Sequence, residues 1–205
     1  MDEFDDLDLL EDVEDLEAQV EAGDHEGYPA TTVLVDEHKV IKRAIDILVN
    51  AVKSGVQDEK LYLDLARFFS EYADAIHHGK EEKILFKRLK EIAPEHIHDM
   101  IEDLENDHVE GRRLVAKIKE SISDPEALKN YALAYASMLR NHISKEDDGL
   151  FIAMHPYLSK EKEEEMLREF LEVDPPSKRE LEMIVERLER RFQIHSDLEK
   201  HHSCH

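Results

Sequence analysis

The chain has one cysteine, Cys204, among 205 residues, so no internal disulfide can form. That usage fits a reducing compartment. Glycine and proline number six each, too few for an all-β protein built on many turns. No apolar run reaches bilayer-spanning length, and no basic segment precedes an apolar stretch near the start. The expectation is a cytoplasmic protein with no membrane partner. Basic side chains are absent from residues 1–24, which hold twelve acidic ones. With a formal net charge of −23, the surface repels phosphate backbones, which argues against nucleic-acid binding.

What is present favours helices. Apolar residues make up 41% of the chain and charged residues 38%, with Leu, Ile, Ala, Glu and Lys prominent. Apolar positions recur at helical spacing over about 31–53 (Leu34, Ile41, Ile45, Leu48, Val52) and about 58–90 (Leu61, Leu65, Phe69, Tyr72, Ile76). A third helix is predicted over about 95–121 and a fourth from Pro125 to about 152. Asp124-Pro125 reads as a cap followed by proline at the first helical position, and Ser123 with Glu126 fits a capping box. Shorter helices are predicted after Ser159 and from Ser177, separated by Pro175-Pro176. The fold class is all-α. Residues 30–155 form an antiparallel up-down-up-down four-helix bundle. An acidic segment and linker precede it (1–29), and a C-terminal helical extension follows (156–205). Leu9, Val13, Leu16 and Val20 have helical spacing within the acidic segment, which reads either as a docking helix or as an acidic tail.

One ten-residue pattern occurs twice, 65 positions apart. His77-His78-Gly79-Lys80-Glu81-Glu82-Lys83-Ile84-Leu85-Phe86 matches His142-Ile143-Ser144-Lys145-Glu146-Asp147-Asp148-Gly149-Leu150-Phe151 as His-x-x-Lys-Glu-acid-x-x-Leu-Phe. Positions i and i+4 share a helix face, so His77 pairs with Glu81 and His142 with Glu146. The repeat extends upstream: Asp36-Glu37-His38 and Asn106-Asp107-His108 stand near the middles of the first and third helices. Six donors, His38, His77, Glu81, His108, His142 and Glu146, can then face one bundle interior.

Neutral imidazole suits iron, zinc and copper, while carboxylates are hard donors that bridge two ions. Four imidazoles with Glu81 and Glu146 as bridges can hold two irons, and the same set accepts zinc or manganese. Without an ion, six buried polar groups would cost several kcal/mol in sum.

These residues, in this order, resemble the hemerythrin-like, HHE cation-binding family over roughly residues 31–152. The resemblance implies a four-helix bundle with a non-haem di-iron centre ligated by His38, His77, Glu81, His108, His142 and Glu146. It implies binding or sensing of oxygen, nitric oxide or peroxide, iron homeostasis or iron-centre repair. A peroxidase or nitric oxide reductase activity would need a redox partner protein, because no flavin or nicotinamide motif is visible. Two positions depart from the oxygen-carrying pattern. Leu104 stands where those carriers have a second histidine on the third helix. Glu146 lies four residues after His142 where they have an aspartate at five, a place held here by Asp147. A further donor would come from His78, Glu82, Tyr135 or His98. His78 and Glu82 read as supporting or solvated groups, and Tyr135 as core.

Other readings attach to the remaining polar groups. His96 and His98 read as surface residues, and His25, His155 and His195 as structural. The His201-His202-Ser203-Cys204-His205 ending reads as a frayed tail. The last helix carries Arg187, Arg190 and Arg191 beside an apolar stripe, expected to pack on the bundle, to form a homodimer contact or to receive the acidic N-terminus. Glu95-x-x-His98 and Glu105-x-x-His108 fit a ferritin-like di-iron motif, but both fall on one helix. A metal-free interaction module is the blandest alternative.

Overall fold

The structure, a computed structural model, describes residues 28–202. It contains six helices: α1 (Pro29–Lys53), α2 (residues 59–92), α3 (Glu95–Glu120), α4 (residues 125–153), α5 (Lys160–Val173) and α6 (Lys178–His202). There is no strand among the described residues. Short connections turn α1 to α4 up and down into an antiparallel bundle, with α3 against α4 and α4 back against α1. Among the described residues, no helix is long and apolar enough to cross a membrane. The acidic segment, the tail from Ser203 and the side chain of His195 lie outside what is described.

Local sequence sets the ends. Pro29 opens α1, where its missing N–H costs nothing, and Gly55 with φ +66° follows its last turn. Asp58 caps α2 by accepting from the Leu61 N–H at 3.2 Å. Asp124 caps α4, accepting from the N–H groups of Glu126 and Ala127 at 3.2 and 3.1 Å. Such a cap contributes about 1 kcal/mol. The capping box expected from Ser123 and Glu126 does not form. Asp124 stands next to Pro125 at the first helical position and takes the donors itself, while Ser123 stays in the preceding turn.

The second and fourth helices are not uniform. In α2 the turns widen to i→i+5 bonding over Phe69–His78 and again over Glu81–Leu85; in α4 they widen over Glu146–Leu150. The second and third wide stretches begin on the predicted ligands Glu81 and Glu146, and the first ends on His78, the residue after the predicted ligand His77. Widened turns of this kind inside α-helices are frequent at functional sites.

The core is split in two along the bundle axis. One apolar cluster holds Ile45, Leu48, Leu65, Phe69, Leu139 and Ile143; the other holds Leu34, Phe86, Leu89, Ile97, Leu104 and Phe151. The segment after residue 155 completes both. α6 adds Leu181, Ile184, Val185 and Leu188 to the first, and α5 adds Met166 and Phe170 to the second. Each such side chain, fully buried, stabilises the fold by roughly 1.5–3 kcal/mol. Polar contacts reinforce the attachment. Buried Glu163 of α5 accepts from the N–H groups of Ala30 and Thr31 at 3.0 and 3.2 Å and from the Thr31 hydroxyl at 2.9 Å. It thereby satisfies donors that the first turn of α1 leaves free. Arg187 and Arg191 pair with Asp64 and Asp58 of α2, which matches packing of the last helix on the bundle.

Candidate metal centre

Between the two apolar clusters the bundle axis is crowded with polar groups. All six predicted donors converge there, and each is at most 1% exposed. Glu81 reaches two helices at once: Oε1 is 3.3 Å from His77 Nε2, and Oε2 is 3.4 Å from His108 Nε2. Glu146 does the same from the opposite wall, with Oε2 3.2 Å from His38 Nε2 and 3.3 Å from His142 Nε2. Two groups of four donors result, each with its ligand atoms within 4.8 Å of one another. One comprises His38, His77, Glu81 and Glu146; the other comprises His78, Glu81, His108 and His142. Glu81 belongs to both. Two donors each about 2.1 Å from one ion, at right to tetrahedral angles, stand about 3.0–3.4 Å apart. The nitrogen–oxygen distances fall in that range.

The donor atoms fit a bound ion. Nε2 of His38 and His77, both oxygens of Glu81 and Glu146, and both ring nitrogens of His78 are buried without a hydrogen-bond partner. Each such orphan costs about 1–3 kcal/mol if left bare. They face one another across one small volume, so cations there relieve them together.

The other nitrogen of each principal imidazole is spoken for. His38 Nδ1–H donates to Asp147 at 2.7 Å, His77 Nδ1–H to Glu37 at 3.0 Å, and His108 Nδ1–H to Glu82 at 2.8 Å. His142 Nδ1 lies a looser 3.4 Å from Asp107. A carboxylate only accepts, so Nδ1 carries a proton, and in the neutral imidazole the Nε2 lone pair points at the centre. The carboxylates are held in turn by bases: Glu37 by Lys80 (2.5 Å), Glu82 by Arg112 (2.5 Å), Asp107 by Lys145 (2.8 Å) and Asp147 by Lys42 (2.8 Å). The acids also form a ring. α1 supplies the partner for the α2 imidazole, α2 for α3, α3 for α4, and α4 for α1.

Electrostatics follow from this arrangement. Burial disfavours a charged His38, but the hydrogen bond to Asp147 and the nearby Glu146 outweigh it, and its pKa is pushed up to about 10. Burial likewise opposes charge on His108, and Glu81 and Glu82 overcome it, raising the pKa to about 9. The Glu82 carboxyl is drawn down to about 2, chiefly by its bond from His108. His78 goes the other way. Burial first, then the neighbouring His108 and His142, hold it well below the usual imidazole range, so it is neutral.

Further residues assigned from sequence sort clearly. Glu82 contacts the His108 ring, as a supporting group should. Tyr135 packs edge-on against Phe69 in the apolar core, as expected. His98 belongs to neither donor group, and Glu105 pairs with Lys90 at the surface, so the ferritin-like motif is not assembled. His155 is buried and stacks on Tyr28. From sequence, His78 is only one of four candidates for a further donor and reads as a supporting or solvated group. In the structure it is 4% exposed, stacks 3.9 Å from the His108 ring and joins the second donor group. On a regular α-helix it would point a quarter-turn away from His77. The wide turn ending at these two residues advances each less around the axis and brings both rings inward.

A family model for the hemerythrin HHE cation binding domain matches residues 30–153. The chain therefore belongs to the hemerythrin HHE cation-binding family. No curated protein and no solved structure matches the chain.

Proposed function

We propose that the chain binds two non-haem iron ions and that the resulting centre binds or senses oxygen, nitric oxide or peroxide. The observation that carries this reading is the placement of Glu81 and Glu146. Each lies within 3.4 Å of imidazoles from two different helices, as a carboxylate shared by two cations must. His38 and His77 would hold one ion, and His108 and His142 the other. His78 adds a fifth imidazole on the second side, which makes the two positions unequal. Among the described residues, neither donor group includes sulfur, which suits iron, manganese or zinc, and the imidazole-rich set favours iron or zinc over manganese.

Bound iron supplies coordination positions open to a small ligand and a one-electron change at each ion. The chain's own residues do the rest. The four carboxylates fix the tautomer and the aim of the rings. The two apolar clusters close the bundle above and below the centre and exclude bulk water. The test is metal content together with the ultraviolet–visible spectrum of anaerobically purified protein, before and after air. Two irons per chain and a new near-ultraviolet band on exposure support the reading, and reversal on removing oxygen identifies a binder. Rapid turnover with added reductant identifies an oxidoreductase instead. Protein that takes up no iron after anaerobic reconstitution refutes the proposal.

A further inference from the structure

The widened stretch of α2 and the middle of α3 do not pack flush. A cleft of about 150 Å³ separates them, and buried His78 is part of its lining. The same imidazole belongs to the second donor group, with ligand atoms of Glu81, His108 and His142 within 4.8 Å. One side chain thus faces both the cleft and the metal-binding cluster. The side walls are apolar, formed by Phe69, Val115 and Tyr135. Gly111 lines the same cleft where α3 nears α4: a Cβ there would stand 3.2 Å from Met138 Cε and 3.9 Å from the Tyr135 ring. Glycine inside a helix is destabilising by about 0.5–1 kcal/mol relative to alanine, and here the missing side chain lets α3 approach Met138 of α4.

The mouth is bridged by polar contacts. Arg112 of α3 donates to Asp74 of α2 at 2.7 Å, and Lys119 of α3 donates to Ser70 of α2 at 2.8 Å. Asp74 offsets the charge of Arg112, while the Lys119 ammonium meets only a hydroxyl; behind the mouth the walls are apolar apart from His78, which suits an uncharged guest. The volume is well below the roughly 300–1,000 Å³ of sites that enclose drug-sized ligands.

We propose that this cleft between α2 and α3 is the route by which an uncharged molecule of two or three heavy atoms reaches the metal centre, arriving beside His78. The proposal rests on the metal reading above, and the test separates the two. Ala116→Phe and Ser70→Phe place a phenyl ring over the cleft from opposite helices, at residues that belong to neither donor group. Two readouts apply. The first is xenon bound under pressure in crystals of the wild-type protein and of each variant, which requires no metal chemistry. The second is nitric oxide association with reduced, iron-loaded protein, followed by stopped-flow absorbance.

The expected result is xenon beside His78 in the wild type and not in the variants. Nitric oxide association should slow by about tenfold or more with iron content and final spectrum unchanged, within the range over which association rates vary among mutants. Xenon absent from the wild-type cleft, or association unchanged in both variants, overturns the proposal while leaving a metal centre in place. Wild-type protein that binds no iron removes the metal reading and this route with it.

Discussion

Lys80 on α2 and Asp174 between α5 and α6 form a buried ion pair, 2.6 Å from Nζ to Oδ1. The lysine is fully buried, and its ammonium also touches Glu37, which bonds the ring of His77. Lys178 at the start of α6 contacts the same Glu37 and Asp174, at 2.5 and 2.7 Å. The C-terminal segment thus joins the support of a donor imidazole through one closed cluster of two acids and two bases. Removing one member of a buried pair leaves an uncompensated charge, at a cost of about 3–5 kcal/mol. Lys80→Met should therefore lower unfolding stability by about 3 kcal/mol, the lower end, because Lys178 still faces both acids. Lys90→Met, which breaks an exposed pair with Glu105, should change it by less than about 1 kcal/mol. Denaturant titration of both variants checks the contrast, and equal losses would contradict a buried role for Lys80.

The ring of carboxylates predicts a graded effect on metal affinity. Loss of a group that orients a ligand imidazole typically costs about 10–100-fold in affinity. Asp147→Asn, at a 2.7 Å bond, should fall in that range, whereas Asp107→Asn, at 3.4 Å, should lose clearly less. Competition with a chelator of known affinity measures both. Equal affinities for the two variants and the wild type would show that the contacts do not aim the rings.

Much of this was legible in the sequence because the chain repeats itself. The paired His-x-x-Lys-Glu-acid motifs place donors, and the helix periodicity places them inward. The lysine of each motif now has a physical reason. Lys80 and Lys145 hold the acids, Glu37 and Asp107, that stand just before His38 and His108. Lys42 and Arg112, each four residues after those histidines, hold the acids that end the motifs. An acid before one histidine and five after the next, with a base four residues on, was a readable signal for the supporting ring. His78 was not readable in the same way. Its inward aim depends on the widened backbone turns, and residue spacing on a regular helix places it elsewhere. The attachment of α5 and α6 also escapes a local reading, because their stripes look alike whether they cover this bundle or a partner.

His78→Leu tests whether the fifth imidazole is a ligand. Leucine keeps the volume apolar and removes two nitrogens that have no hydrogen-bond partner. Metal-free protein should then be as stable or more stable, since two buried orphans are gone. Iron content should fall from two toward one per chain, because only the second donor group includes this residue. His98→Leu, outside both groups, should leave iron content unchanged. Undiminished iron in the His78 variant would demote it to packing.

Acidity should affect the metal-free form more than the metal-loaded form above neutrality. In the free chain, His38 and His108 titrate near 10 and 9, against about 6.5 for an unperturbed imidazole. Raised values mean stability that is fully present below pH about 6.5 and lost as pH rises through 9 to 10. His78 is depressed, so its contribution is present above pH about 6.5 and declines as pH falls below it. The free protein should therefore melt highest near pH about 6.5 and lower on either side. Metal binds only neutral imidazoles, so loading must displace the protons that His38 and His108 carry at neutral pH, and metal affinity rises with pH. Between pH about 6.5 and 9 the melting temperature should fall for free protein, and the gap between loaded and free protein should widen. Calorimetric scans of both forms across that interval measure the two slopes. A gap that narrows with rising pH would mean that the ion does not displace protons from these imidazoles.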